Sequence, residues 1–334
     1  MEISCRIFGT GIIFKHLSAL TAETGGVISE DDIECVHRMR VASRRLRRSL
    51  AAFKELFPRQ EFPVWRKAVK RIAGKLSRAR DIDVQTVFLD DFIRTLPPEN
   101  IIFRRGLRRI RLRLGQERCN IQKKIIRLLE SEKIKSAIRA LENELQIPGN
   151  QILMERENCT GVTLNELAAR RINICMENVL ALSACADHPE EFSGLHKMRI
   201  AFKNLRYEME IFESLFAKRL ADFIKMAKNL QSLLGKIQDA EVWLKNLPRI
   251  EKSEEELTRL YCGNLRGFSS VKHSINLLTD NRRRAEKLHY QEFLTLHRKI
   301  NRRHVWKNLQ KILLENSRAA DQDYCQNNGE QNHA

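Results

Sequence analysis

The sequence predicts an all-α protein containing two copies of one helical unit. Three observations carry that prediction. Nearly every long segment repeats its apolar residues with helical rather than alternating spacing. Glycine (14) and proline (7) are scarce for 334 residues, which argues against a strand-and-turn protein. The stretch VHRMRVASRRLRRSLAAFKELF at 36–57 is written again as LHKMRIAFKNLRYEMEIFESLF at 195–216, with nine of 22 positions identical.

Besides these two helices, helical segments are expected at 63–78, 100–130, 132–146, 164–185, 221–235 and 284–315. The breaks between them are short and each holds proline: FPRQEFP at 57–63, TLPPEN at 95–100, QIPGN at 146–150 and ADHPEE at 186–191. The repeat continues downstream of its first helix. AGKLSRARDIDVQTVFL at 73–89 aligns with QSLLGKIQDAEVWLKNL at 231–247, which pairs Asp81 with Asp239 and Asp83 with Glu241. A period near 159 residues is too long for a solenoid unit and fits a duplicated subdomain, with halves at 1–150 and 151–315. Short loops between long helices make each half a four-helix-type bundle of antiparallel neighbours. Past 316 the chain is polar with no apolar stripe, and 316–334 is expected to be a disordered tail.

Hydrophobic residues at 43% support a buried core. Lys+Arg outnumber Asp+Glu by 60 to 42, a net charge of +18 that works against compaction and points to a polyanionic partner. The eight cysteines are dispersed, with no C-x-x-C pair, which excludes a zinc or disulfide framework and suits a reducing cytoplasm. The N-terminal apolar run is too short for a signal peptide, and no 18-residue apolar window exists, so no membrane role is expected.

On a helical wheel, Met39, Leu46, Leu50, Phe53 and Phe57 form an apolar stripe. His37, Arg40, Arg44 and Arg47 form a second stripe, about 130° round from the first. The later copy repeats both: Met198, Leu205, Met209, Phe212 and Phe216 on one side, His196, Arg199, Lys203 and Arg206 on the other. Arg45 and Arg48 lie off the stripe and become Asn204 and Tyr207. Cations stacked at i, i+3 and i+4 repel one another, and a solvated face would be expected to intersperse Glu. The stripe is favourable when phosphate or another anion lies along it, since arginine donates two hydrogen bonds to a phosphoryl group. A basic face on one helix alone is ordinarily just solvated; its repetition favours a binding role.

The pattern H-x-M-R-[VI]-A-x-[RK]-x-L-R, occurring twice with RARDIDV and GKIQDAEV following, resembles the CHAD domain (conserved histidine α-helical domain) over roughly residues 5–315. The resemblance implies two helical bundles related by a pseudo-twofold axis, with basic helices lining a shared positive channel or groove. It further implies binding of inorganic polyphosphate and association with polyphosphate granules. By position, the implied ligand-facing set is His37, Arg40, Arg44, Arg47, His196, Arg199, Lys203 and Arg206. Lys70 and Lys228 align with each other and look like further basic positions of the family. Asn204 is a departure, standing where members often carry a second basic residue. Polyphosphate-metabolising enzymes are a further implied class of partner, and no cofactor is implied.

Other constellations are weaker. Asp81/Asp83 and Asp239/Glu241 have a spacing open to metal, but each first Asp is better read as a helix cap or as the partner of a signature arginine. Arg104, Arg108 and Arg111 share a face and either extend the basic groove or are solvated. Lys299, Arg303 and Lys307 are of the same kind, and NRRR at 281–284 reads as a surface helix start. The phosphate-loop, zinc-protease, nucleophile-elbow and dinucleotide motifs are missing, so no catalytic residues are assigned. Polyphosphate binding is the leading function. RNA or DNA binding is the alternative, disfavoured by an aromatic content of only 7%. A metal-dependent polyphosphate hydrolase is the third, short of clustered carboxylates.

Overall fold

The computed structural model describes residues 5–29, 33–57, 59–146 and 163–330, with side chains as far as 317 and excepting that of Ile33. These residues are helical with no strand among them. The boundary expected at 150/151 lies outside them.

The helices are α1 (Cys5–Thr21), α2 (Thr24–Ser29), α3 (Ile33–Ala52), α4 (Phe62–Thr95), α5 (Ile101–Glu130), α6 (Glu132–Leu145), α7 (Leu164–Ala181), α8 (Phe192–Phe212), α9 (Ala221–Cys262), α10 (Ser269–Arg302) and α11 (Val305–Glu330). Their ends follow local chemistry. Pro63 opens α4, where a missing N–H costs nothing. Thr163 caps α7 by a reciprocal box with Glu166, at 3.2 and 2.6 Å. Gly263 closes α9 at φ 67°, in the left-handed region that glycine adopts without strain.

Several boundaries differ from the sequence reading. The segment expected at 221–235 runs on through Cys262 with Pro248 inside the helix, at an exposed position where its lost hydrogen bond is tolerated. The segment 284–315 is divided at Arg303–His304, where His304 has φ 50°. NRRR at 281–284 falls in the middle of α10, not at a helix start, because the helix begins at Ser269. Helix α11 also continues to Glu330, past the last apolar residue of its stripe and into the stretch read as a tail.

Both predicted apolar stripes are buried. Met39, Leu46, Leu50, Phe53 and Phe57 lie in the same core as Met198, Leu205, Met209, Phe212 and Phe216. Helices α1, α3, α4 and α6 pack in a closed ring, with α5 laid against α4. Helices α7, α8, α9 and α10 pack in succession, and α11 returns to α7. The two groups are joined by α3 lying on α8 and by α5 lying on α10. The second crossing is very close, since a Cβ on Gly106 would come within 2.2 Å of the Ser270 carbonyl oxygen. Ser274 fastens it by donating to the Phe103 carbonyl at 2.9 Å.

Candidate functional site

The basic stripes of α3 and α8 face each other where these helices cross. The crossing is held below the cations by aromatic rings: Phe53 and Phe212 meet with centroids 5.7 Å apart, and Phe8 stacks on Phe212 at 6.0 Å. It is held at one side by charge. Arg48 of α3 donates to the buried Glu208 of α8 at 2.7 Å, and Arg171 of α7 donates to the same carboxylate at 3.2 Å. A fully buried carboxylate persists only with such partners. Arg45 lies 3.8 Å from Glu210, also on α8. The arginines that depart from the stripe therefore have a structural task.

Among the described residues, the stripe cations Arg40, Arg44, Arg47, Arg199 and Lys203 have no such ion pair. Burial and then the charges of Arg44, Arg199, Arg47 and Arg48 push the Lys203 ammonium down to about 8. Burial and Arg44 lower the Arg40 guanidinium, with Asp81 acting the other way. Burial, then Arg66, Arg44 and Arg48, lower that of Arg47. These shifts share their causes: burial first, then the crowding of cations from α3, α8 and α4. The Nε atoms of Arg40 and Arg199, equivalent in the repeat, are both buried without a hydrogen-bond partner, as is His37 Nδ1. Orphaned donors of this type call for an acceptor.

The floor of the site comes from α4 and α9. Asp81 and Asp239 sit in mid-helix, so the capping alternative is excluded, and they lie in the field of the signature arginines. Burial raises both carboxyls against the pull of Arg40 and Arg199, and Asp81 raises Asp239 further. Both remain open to solvent while protein crowds around them, which is the geometry of a concave surface. Three pairs of repeat-equivalent residues are thus neighbours: Arg44 with Lys203, Asp81 with Asp239, and Phe53 with Phe212. Asp83 is bound to Arg118 at 2.8 Å, and Glu241 accepts from Gln238 at 3.0 Å and from Lys245. No group of three or more potential metal ligands gathers among the described residues.

The remaining predicted residues are spread more widely. His37 lies beside Arg80, and burial followed by that charge lowers its pKa. His196 is exposed and its Nδ1 bonds Gln238, the residue aligned with Arg80. The two histidines therefore have different neighbours. Arg206 is stacked on Tyr207 at 4.6 Å and paired with Glu210 at 3.3 Å, so the second stripe does contain an i+4 Glu partner at its end. Lys70 and Lys228 are exposed, eleven residues before Asp81 and Asp239, or about 16 Å along their helices. Arg104 donates to the Leu96 carbonyl at 2.5 Å and so ties α5 to the end of α4. Arg108, Lys299, Arg303 and Lys307 are exposed.

Four contributors went unrecognised in the sequence. Arg66 and Arg80 were hidden within the charged run of α4, and Tyr207 looked like the loss of an arginine although it carries Arg206 and, at 5.9 Å, Arg44. The fourth, Arg282 of α10, is half-buried, lies 3.8 Å over the Phe88 ring and acts on Asp239. No periodicity could have announced it, because its partners are on α4 and α9.

The model of the CHAD domain family matches residues 11–248 of this chain. A comparison with curated proteins finds no sequence match. Among solved structures, the CHAD domain from the plant Ricinus communis is similar with a TM-score of 0.66 and 19% identity, covering 88% of this chain and 92% of that one. PptA from Streptomyces chartreusis is similar with a TM-score of 0.61 and 12% identity, covering 87% and 98%. At these identities the likeness is one of fold.

Proposed function

The chain belongs to the CHAD domain family, and from that premise we propose that it binds inorganic polyphosphate in a basic groove between two helical bundles. The bundles are two copies of one unit related by a pseudo-twofold axis. Packing between like helices (α3 with α8, α5 with α10) and between like residues supports that relation.

One observation carries the functional reading. Lys203 lies among Arg44, Arg47 and Arg199, cations of both stripes, and burial followed by those charges pushes its ammonium down to about 8, while Asp81 and Asp239 are the carboxylates set against Arg40 and Arg199. A linear polyanion laid along both stripes relieves that repulsion, supplies acceptors for the orphaned nitrogens and releases bound counterions. Recognition needs no base and rests on consecutive phosphates lying along both stripes. Polyphosphate granules are the proposed place of action.

The test is binding of long-chain polyphosphate across a salt series with excess tRNA as competitor, with phosphate release assayed in parallel. Steep salt dependence and indifference to tRNA are expected. Displacement by tRNA at equal phosphate would transfer the site to nucleic acid, and Mg²⁺-dependent phosphate release would make the protein a hydrolase.

A further inference from the structure

The outward face of α10 carries a row of cations that the groove does not account for. Arg283, Arg284 and Lys287 are exposed at its middle, and Arg298, Lys299, Arg302 and Arg303 are exposed near its end. At 100° per residue all seven fall outside the sector held by buried Phe293, His297 and Ile300. The last four, with the neutral donors Gln291 and Thr295, border an open hollow of about 580 Å³.

Carboxylates offset part of this charge: exposed Asp280 stands three and four residues before Arg283 and Arg284, and half-buried Glu286 lies in the field of Arg283 and Lys287. Arg298 pairs with Asp187 at 3.0 Å, and Glu292 is engaged by His289 at 3.1 Å. The like-charged i,i+4 pair Lys299/Arg303 is left repelling, and Arg302 stands one turn from Arg298, whose charge Asp187 already meets. Cations in the last turn do complement the helix dipole, but that effect fades within one turn and does not reach Arg283, Arg284 or Lys287.

The row begins at the groove. Arg282 points inward to Phe88 and Asp239, and the next two residues point outward. From Arg283 to Arg303 the face is about 30 Å long at 1.5 Å per residue, with its cations in two groups about 16 Å apart between Lys287 and Arg298.

We propose that this face of α10 is an external track for the part of a polyphosphate chain that extends beyond the groove. The inference rests on the groove reading and deepens it: the protein has an inner site for a short run of phosphates and an outer one that only longer chains reach. Charge complementarity and continuity through Arg282 select that occupant. An acidic protein segment would find the same charges, but nothing would lead it to the groove end of the row.

The experiment compares inorganic tripolyphosphate with long-chain polyphosphate on the full-length protein. One variant replaces Arg298, Lys299, Arg302 and Arg303 with glutamine. A control removes four exposed cations elsewhere, Lys123, Lys124, Arg127 and Lys133. Circular dichroism verifies folding of both. The track variant should bind long chains at least tenfold more weakly, with a salt slope shallower by about 0.7 for each phosphate no longer neutralised. It should bind tripolyphosphate as the wild type does. Unchanged long-chain affinity would overturn the proposal, as would an equal loss in the control, which would reduce the effect to net charge. Wild-type protein that binds neither ligand would refute the groove reading itself, whereas a failed track leaves tripolyphosphate binding intact.

Discussion

Phe53 and Phe212 hold the same position in the two copies and meet each other edge to face, 5.7 Å between centroids and 67° between planes. Each ring is buried, so their meeting welds the helices that carry the cationic stripes. Phe212→Ala should destabilise the protein by about 3–5 kcal/mol, the range for an aromatic truncation that leaves a cavity. Phe14→Ala, at an exposed position, should stay within about 0.5 kcal/mol. Denaturant midpoints decide it, and a small effect at Phe212 would place the packing centre elsewhere.

Lys203 should trade stability against binding. Its ammonium is depressed to about 8 by burial and four arginines, so the charged form at neutral pH strains the fold. Lys203→Met keeps the volume and removes the charge, and the expected result is a higher Tm with weaker polyphosphate affinity. A variant that lost both would show that the lysine supports packing instead.

Reversal of one cation on each stripe, Arg40→Glu with Arg199→Glu, should abolish polyphosphate binding while leaving helical content intact. Both side chains reach the central cluster, and neither takes part in the Glu208 clasp. Isothermal titration alongside circular dichroism separates the two readouts. A folded double variant that still binds would assign the ligand to a different face.

Binding should strengthen as the pH falls. Burial holds the Asp81 and Asp239 carboxyls above their usual range, burial and Arg80 hold His37 below its own, and Lys203 lies near 8. Bound phosphate favours the protonated form of every one of these groups, so binding takes up protons and affinity rises toward acid. The lysine acts as the pH drops toward about 8, the histidine and carboxyls further toward acid. Asp81→Asn with Asp239→Asn should tighten binding at pH 7 and flatten the acidic limb. A flat wild-type profile would remove these groups from the ligand's surroundings.

Much of this was legible in the sequence because it is written with helical period. The apolar stripes gave the core of α3 and α8 residue by residue, and comparing the two copies separated stripe arginines from Arg45 and Arg48. What the period could not give was anything between helices. That Arg48 reaches Glu208, 160 residues away, or that Arg282 lies over Phe88 and acts on Asp239 from α10, depends on which helices become neighbours. The ends of α9 and α10 escaped for the same reason, since tertiary packing carries α9 through Pro248.

Arg80 stands beside His37, whereas Gln238 holds His196. The leading ends of the two basic stripes are therefore chemically unlike. On the proposed function this is no obstacle, because linear polyphosphate is identical read from either end and does not require the two ends to match. Divergence between the copies is cheap at the histidines and costly where Arg44 meets Lys203 and Phe53 meets Phe212, since there each residue must fit its own counterpart.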